Sequence, residues 1–346
     1  MDVQSAIRCL AVTLLVTVLS PQQKNSKSLE IYWIDVEGGG ATLIVTPAGE
    51  SVLIDTGYPD ERGAPRIHKV ATGIAGLTRI DHLVVTHFHI DHFGGAAGLS
   101  KLMPIGRVYD NGVPSPPPSE TDAVPFKAYQ AALENLRTTL KAGDRIPLAQ
   151  TGSAVPLTMK LLGTRQTFVR PETGSPQNAE CTDTTQEPRD TTDNANSTAW
   201  MLEFGRFRFF DGGDLTWNIE AQLVCPVNLA GKVDVYQVDH HGLDVSNNPV
   251  LIRSLAPTVT VMNNAARKGT EPQTMATLRR VASIRAMYQV HKNTRQGKED
   301  NTAEEYIANR QERCSAQYIK LSVDPSGARY TMTIPASGHS RTYRTR

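Results

Sequence analysis

Thr86-His87-Phe88-His89-Ile90-Asp91-His92, followed at once by Phe93-Gly94-Gly95, is the stretch on which the reading of this chain turns. Three of the nine histidines and one carboxylate fall within six residues, directly after the apolar run Leu83-Val84-Val85. That run reads as a buried strand, so the cluster sits where a strand ends and the chain turns. Neutral imidazole nitrogen and carboxylate oxygen are the donors that zinc and similar divalent ions accept. In extended chain His87 and His89 point to one side, so a single ion can take both. Asp91 and His92 lie beyond the turn and can face a second.

Three more segments end in the same way. Ser51-Val52-Leu53-Ile54 is a strand that stops at Asp55-Thr56-Gly57, where Asp55 reads equally as a turn former or as a site residue. Arg206 to Phe210 is a strand delivering Asp211-Gly212-Gly213-Asp214, and the glycines make Asp214 the better ligand of the two carboxylates. Val233 to Val238 delivers Asp239-His240-His241-Gly242, and adjacent histidines at a strand's end are hard to explain as core residues. The set His87, His89, Asp91, His92, Asp214, His240 and His241 exceeds what one catalytic ion requires and suits two adjacent ions. A structural site is normally closed by four ligands, often cysteines close in sequence, and the surplus speaks against it. Two ions that activate a shared water point to hydrolysis of an ester, amide or phosphoester.

Between these ends lie helical patterns at 64–77, after Gly95 and over 126–142, with loop at 110–125 around Pro116-Pro117-Pro118. Residues 163–196 are polar and nearly free of large apolar side chains, and a loop of that length beside a site is a candidate cover for its pocket. Helices are expected over 248–254 and 272–284, and Tyr318 to Ile334 forms a C-terminal hairpin. The domain division that follows is an N-terminal segment at 1–26, a main domain at 29–295 and a C-terminal extension at 296–346 packed on that domain.

At 346 residues, with 39% hydrophobic and 21% charged residues, the chain can bury a sizeable core. A net charge of +1 gives no support to a nucleic-acid tract or a membrane-surface patch. Arg8 precedes eleven uncharged residues, Cys9 to Leu19, and then a polar stretch, the shape of a secretory signal too short to span a bilayer comfortably. We therefore expect export, into a bacterial periplasm or outside the cell, with no integral span beyond that segment. Cys181, Cys225 and Cys314 then remain, so at most one disulfide forms; Cys225 with Cys314 is the first pairing to test.

His87-x-His89-x-Asp91-His92, the strand end at Ser51–Gly57, Gly213-Asp214 and the late histidine together resemble the metallo-β-lactamase superfamily over Leu29 to about Ile284. The resemblance implies an α/β fold, a four-layer αββα sandwich with the metal site at one edge of its two sheets. It implies that His87 and His89 hold one ion, that Asp91, His92 and a late histidine hold the other, and that Asp214 bridges them. Lys141 to Ile146, Asn196-Ser197 and His240-His241-Gly242 with Ser246 look most like the ComEC-like branch, the nuclease-like domain of DNA-uptake proteins and its free-standing relatives. Many superfamily members carry a further histidine ligand upstream of the bridging aspartate; here that region holds Asn196, a harder oxygen donor. Zinc is the first expectation for both ions, and that oxygen donor makes manganese the alternative.

The expected reaction is hydrolysis of a phosphodiester or related ester, in a small molecule or larger substrate, by a metal-bound hydroxide. Asp91 would orient that hydroxide, and whichever of His240 and His241 is not a ligand would act as acid, His240 being the first candidate. A lactone or β-lactam hydrolase on the same fold is the alternative substrate reading. A non-catalytic binding protein with a vestigial metal site is the alternative from another class.

Overall fold

The computed structural model describes residues 27–182, 185–297 and 300–346. The N-terminal apolar stretch and its reading as a secretory signal lie outside the described residues.

The chain opens with an antiparallel meander of β1 (Leu29–Trp33), β2 (Thr42–Val45) and β3 (Ser51–Ile54), then turns to parallel crossovers. Helix α1 (Ala64–Gly73) leads from β3 to the parallel β4 (Ile80–Val84); α2 (Ile90–Phe93) and α3 (Ala96–Leu102) lead to β5 (Ile105–Asp110); α4 (Glu120–Leu133) leads to β6 (Arg137–Thr139). A second sheet takes β7 (Leu157–Thr164), β8 (Thr167–Phe168), β9 (Ala199–Phe204), β10 (Phe207–Asp211), β11 (Val235–Gln237), β12 (Val259–Met262), β13 (Ala286–His291) and β14 (Ile307–Asn309), in which β10 to β14 run parallel. Its crossovers include α5 (Trp217–Val224), α6 (Pro249–Leu255) and α7 (Pro272–Arg280). The last strands, β15 (Ile319–Val323), β16 (Arg329–Ile334) and β17 (His339–Arg344), return to the first sheet with β15 antiparallel to β1.

Strands buried on both faces need apolar side chains at every position, which explains runs such as Leu83-Val84-Val85. Val84 joins Trp33, Trp200 and Phe209 between the sheets, whereas Leu83 and Val85 face outward onto Ile67, Leu99 and Tyr129. On the second sheet Phe209 points in, and Phe210 points out with Tyr236 onto Leu223, Leu251 and Leu278 of its helices. Three apolar layers therefore separate four structural ones, helix, sheet, sheet, helix, as the αββα expectation has it. Gln237 ties the inner faces together. Its Oε1 accepts from Trp33 Nε1 at 2.8 Å and Thr42 Oγ1 at 2.6 Å, and its Nε2 donates to Asp211 at 2.7 Å.

Several local expectations are corrected. The helix expected over 126–142 begins at Glu120, because the Ser119 side chain caps it by accepting from Asp122 N; it continues through Pro125, ends at Leu133, and leaves 137–139 to β6. The stretch after 296 supplies β14 to the second sheet and β15 to β17 to the first. Cys181 pairs with Cys225, with Cα atoms 5.9 Å apart, and among the described residues Cys314 is the free thiol. The Cys225–Cys314 expectation failed because Cys314 belongs to the segment before β15, while Cys225 ends α5 on the opposite outer face.

Candidate metal centre

Four strand ends, from both sheets, meet at one edge: β3 gives Asp55, β4 the run from Thr86 to His92, β10 Asp214, and β11 the pair His240-His241. The carboxyl ends of parallel strands are the general location of ligand sites in open α/β sheets.

Asp214 is the hub. Its Oδ2 lies 3.1 Å from His92 Nε2, 3.4 Å from His240 Nε2, 3.4 Å from His241 Nε2 and 3.9 Å from His87 Nε2. His92 Nε2 and His241 Nε2 are themselves 3.2 Å apart, and Asp91 Oδ2 is 3.3 Å from His241 Nε2 and 3.5 Å from His92 Nε2. One donor atom from each of Asp91, His92, Asp214 and His241 lies within 4.8 Å of all the others. His87 is fully buried and its Nε2 has no hydrogen-bond partner, while the half-buried His89 packs edge-on against it with ring centroids 4.7 Å apart. An orphaned buried imidazole nitrogen and converging Nε2 atoms are what a bound divalent ion would satisfy, so the donor set fits the ions that the sequence implies.

The opposite ring nitrogens are occupied by oriented partners. His92 Nδ1 is 2.7 Å from Asp55 Oδ2, His241 Nδ1 is 3.0 Å from Asn263 O, and His240 Nδ1 is 3.0 Å from Ser246 Oγ. Such partners fix the tautomer and leave the Nε2 lone pairs for an ion. Asp55 is thus a positioning residue. Its carboxylate also accepts from Thr86 N and Thr86 Oγ1, both at 2.8 Å. Asp55, His240 and His241 all carry left-handed backbone, φ 62°, 52° and 58°. Conformations of this kind cost of order 1 kcal/mol or more and persist where surrounding structure enforces them. At His240 and His241 Asn247 enforces them, donating to Asp239 O at 3.0 Å and Leu243 O at 3.1 Å, while Glu220 accepts from Asn247 N and Asn248 N. The glycine turn after β1 presses onto the same edge: a Cβ on Gly40 would stand 2.7 Å from Asp55 Oδ2, and one on Gly39 2.4 Å from Asp91 O.

Burial opposes ionisation of Asp214, but His92, His241 and His240 hold its carboxyl well below the usual range. Burial would likewise lower His92, yet Asp214, Asp91 and Asp55 raise it well above an ordinary imidazole. Burial pushes His240 down to about 4 despite Asp214, which favours the neutral ring, the form that ligates.

Asn196 does not join the cluster. Its Nδ2 donates to Ser115 O at 2.8 Å and Asp193 Oδ1 at 2.9 Å. The amide that does reach the centre is Asn194, with Nδ2 3.4 Å from His240 Nε2 and a buried Oδ1 lacking a partner. Two residues of a short helical turn at Asp193–Asn196 exchange places here, a distinction that spacing alone does not carry. Lys268 was also not singled out from the sequence. Its ammonium pairs with Asp91 Oδ2, and only this fold brings the residue after β12 to that point. Asn194 opens from the centre onto a cavity of about 840 Å³ walled by Pro188, Arg189, Trp217, Asn218 and Val245. The latter part of the 163–196 segment therefore does line a pocket beside the site.

Residues 35–135 match the model of the Metallo-beta-lactamase superfamily. A UPF0173 metal-dependent hydrolase of Cupriavidus taiwanensis is 31% identical over 84 residues, 24% of this chain and 27% of that protein. Another, of Cupriavidus necator, is 31% identical over 80 residues, 23% and 26% of the two chains. The chain thus spans about a quarter of the length of these curated relatives. Among solved structures, the metallo-beta-lactamase fold protein YhfI of Bacillus subtilis aligns over 76% of this chain and 96% of its own, at 10% identity and a TM-score of 0.46. MEM-A1, a subclass B3 metallo-beta-lactamase from a soil metagenome library, aligns over 62% and 78%, at 17% identity and a TM-score of 0.38.

Proposed function

We propose that this protein is a metal-dependent hydrolase that holds two divalent ions, zinc before manganese, around Asp214 and cleaves a phosphodiester or related ester. The observation that carries the reading is the convergence of four imidazole Nε2 atoms on one Asp214 oxygen, with the buried His87 Nε2 lacking any protein partner. His87 and His89 would serve one ion, and Asp91, His92 and His241 the other. When bound, such ions bring the pKa of water towards neutrality and stabilise charge on a leaving oxygen. Asp91 orients the attacking water, and Asp55 keeps the His92 ring in register. His240, neutral and held by Ser246, is a further ligand at Asp214, which leaves Asn194 to face the substrate. The Lys268 ammonium and Arg189 on the cavity wall favour an anionic substrate such as a phosphodiester. The His240–Ser246 contact also supports the ComEC-like assignment. The Cys181–Cys225 disulfide supports export, since such bonds persist in oxidising compartments.

A second reading of the metal count comes from Lys268: its ammonium on Asp91 supplies positive charge where the second ion would sit, giving one ion and one lysine. Elemental analysis of the wild type and Lys268→Met separates the two. Equal metal content favours two resident ions, and a gain in the variant favours the lysine. Turnover of bis(p-nitrophenyl) phosphate, a lactone and a β-lactam tests the substrate class. Hydrolysis of only the carbonyl substrates would overturn the phosphodiester assignment, and no metal with no turnover would leave a binding protein.

A further inference from the structure

We propose that Asp35, His291 and Cys314 form a second metal site, sharing no residue with the centre at Asp214, that takes one zinc-class divalent ion and ties both sheets to the C-terminal segment. One donor atom from each residue lies within 4.8 Å of the other two, and Cys314 Sγ donates to Asp35 Oδ2 at 3.0 Å. Thiolate, imidazole and carboxylate together suit zinc and exclude calcium or magnesium, which prefer oxygen throughout. A tetrahedral ion with ligands at about 2.0–2.3 Å sets its donors about 3.3–3.8 Å apart, so side-chain adjustment alone closes the site.

Three independent features point to a ligand here. His291 is 1% exposed, and its Nδ1 is buried with no hydrogen-bond partner, an unmet cost in the absence of an ion. Its backbone is fixed on both sides by Asn264, which accepts from His291 N at 3.2 Å and donates to His291 O at 2.6 Å. A cavity of about 530 Å³ bordered by Arg66, Cys314 and Tyr318 gives Cys314 a route to solvent. The charges also balance. Arg66 lies 3.3 Å from Asp35 Oδ2 but is matched by Glu37 at 2.5 Å, so a dipositive ion meets one carboxylate and one thiolate. Burial and Asp35 push the Cys314 thiol up to about 12, which removes it as a free nucleophile at neutral pH. Coordination breaks the S–H bond, forms the S–metal bond and releases the proton to solvent. Asp35 follows β1, His291 ends β13, and Cys314 lies between β14 and β15, so the ion would join three segments distant in sequence.

Cobalt(II) loading of the full-length protein with its disulfide intact tests this. The Asp214 centre has no cysteine, so a sulfur-to-cobalt charge-transfer band reports on the thiol site, and Cys314→Ser identifies its source. We expect the band in wild type, one more cobalt bound than in Cys314→Ser, and loss of the band in that variant. Its nitrogen- and oxygen-ligated visible spectrum should remain. His291→Gln should weaken the band and lower cobalt affinity at that site about 10-fold or more; if Cys314→Ser fails to fold, this variant and the wild-type spectrum decide. A cobalt-saturated, folded wild type without the band would overturn the proposal. So would equal cobalt content and an unchanged band in Cys314→Ser.

Discussion

Replacing Asp55 with asparagine removes a charge from the metal centre without touching a proposed ligand. Asparagine is nearly isosteric and tolerates the left-handed backbone at φ 62°, so the turn after β3 is preserved. Asp55 now accepts from Thr86 N, Thr86 Oγ1 and His92 Nδ1. In one orientation the new amide keeps Thr86 N satisfied and presents its N–H to His92 Nδ1. The imidazole proton is then driven to Nε2, the atom that faces Asp214 and His241 at 3.1 and 3.2 Å, and blocks the lone pair an ion needs. In the other orientation two donors meet at Thr86, and a buried N–H goes unpaired at about 1–3 kcal/mol. The first outcome should cost about 10–100-fold in metal affinity, or about 1.4–2.7 kcal/mol. Competition against a chromophoric chelator measures the affinity, and nitrogen NMR of the labelled imidazole reads the tautomer. An Asp55→Asn protein that binds metal within about twofold of wild type, with His92 protonated at Nδ1 and unchanged unfolding, would refute the orienting role.

Gly40→Ala should reproduce that loss by steric means, because its Cβ would lie 2.7 Å from Asp55 Oδ2 and 3.1 Å from His92 Nδ1; Gly73→Ala, whose Cβ would meet nothing within 4 Å, should leave metal affinity unchanged. Asp214→Ala should lower metal affinity and turnover by more than the about 10–100-fold typical of lost orienting partners, with an unchanged circular dichroism spectrum; wild-type turnover would remove Asp214 from the centre. Asp234 makes a pH prediction away from the site. Burial raises its carboxyl to about 6, against hydrogen bonds from Arg208 N and Arg346 N. Between about pH 4 and 6 the folded protein keeps this proton and the unfolded chain releases it, so the stability is full at low pH and is lost as pH rises through 6. The gap corresponds to about 3 kcal/mol. Urea unfolding of Asp234→Asn should therefore gain on wild type by roughly that amount between pH 4 and pH 7.5, and parallel curves would contradict the assignment.

The strand ends were legible because they concentrate unusual residues where apolar runs stop: His87 to His92, Asp214 and His240-His241 all come together at one edge. The four-layer fold came with the family resemblance that these strand ends carry, and the run Leu83-Val84-Val85, apolar throughout, agrees with a sheet covered on both faces. Asp55 stayed ambiguous because a turn-forming aspartate and one that holds His92 look identical until β3 and β4 are paired. Asn194 and Asn196 differ only in which side of one helical turn they occupy. Lys268 and the Asp35–His291–Cys314 group depend on contacts across 177 and 279 residues of chain, which no local spacing encodes. Pro125 misled in the other direction. It marks a helix boundary in isolation, but the Ser119 cap starts α4 early enough to carry it inside.

The central claim is that two ions share Asp214. Diffraction at the zinc absorption edge, from crystals of the zinc-loaded protein, tests it most directly. Two anomalous peaks flanking Asp214 are expected, each within about 2.0–2.3 Å of its donors, one served by His87 and His89 and the other by Asp91, His92 and His241, with Lys268 displaced from Asp91. A single peak with the Lys268–Asp91 pair intact would contradict the second ion, and no peak at Asp214 would contradict the centre itself.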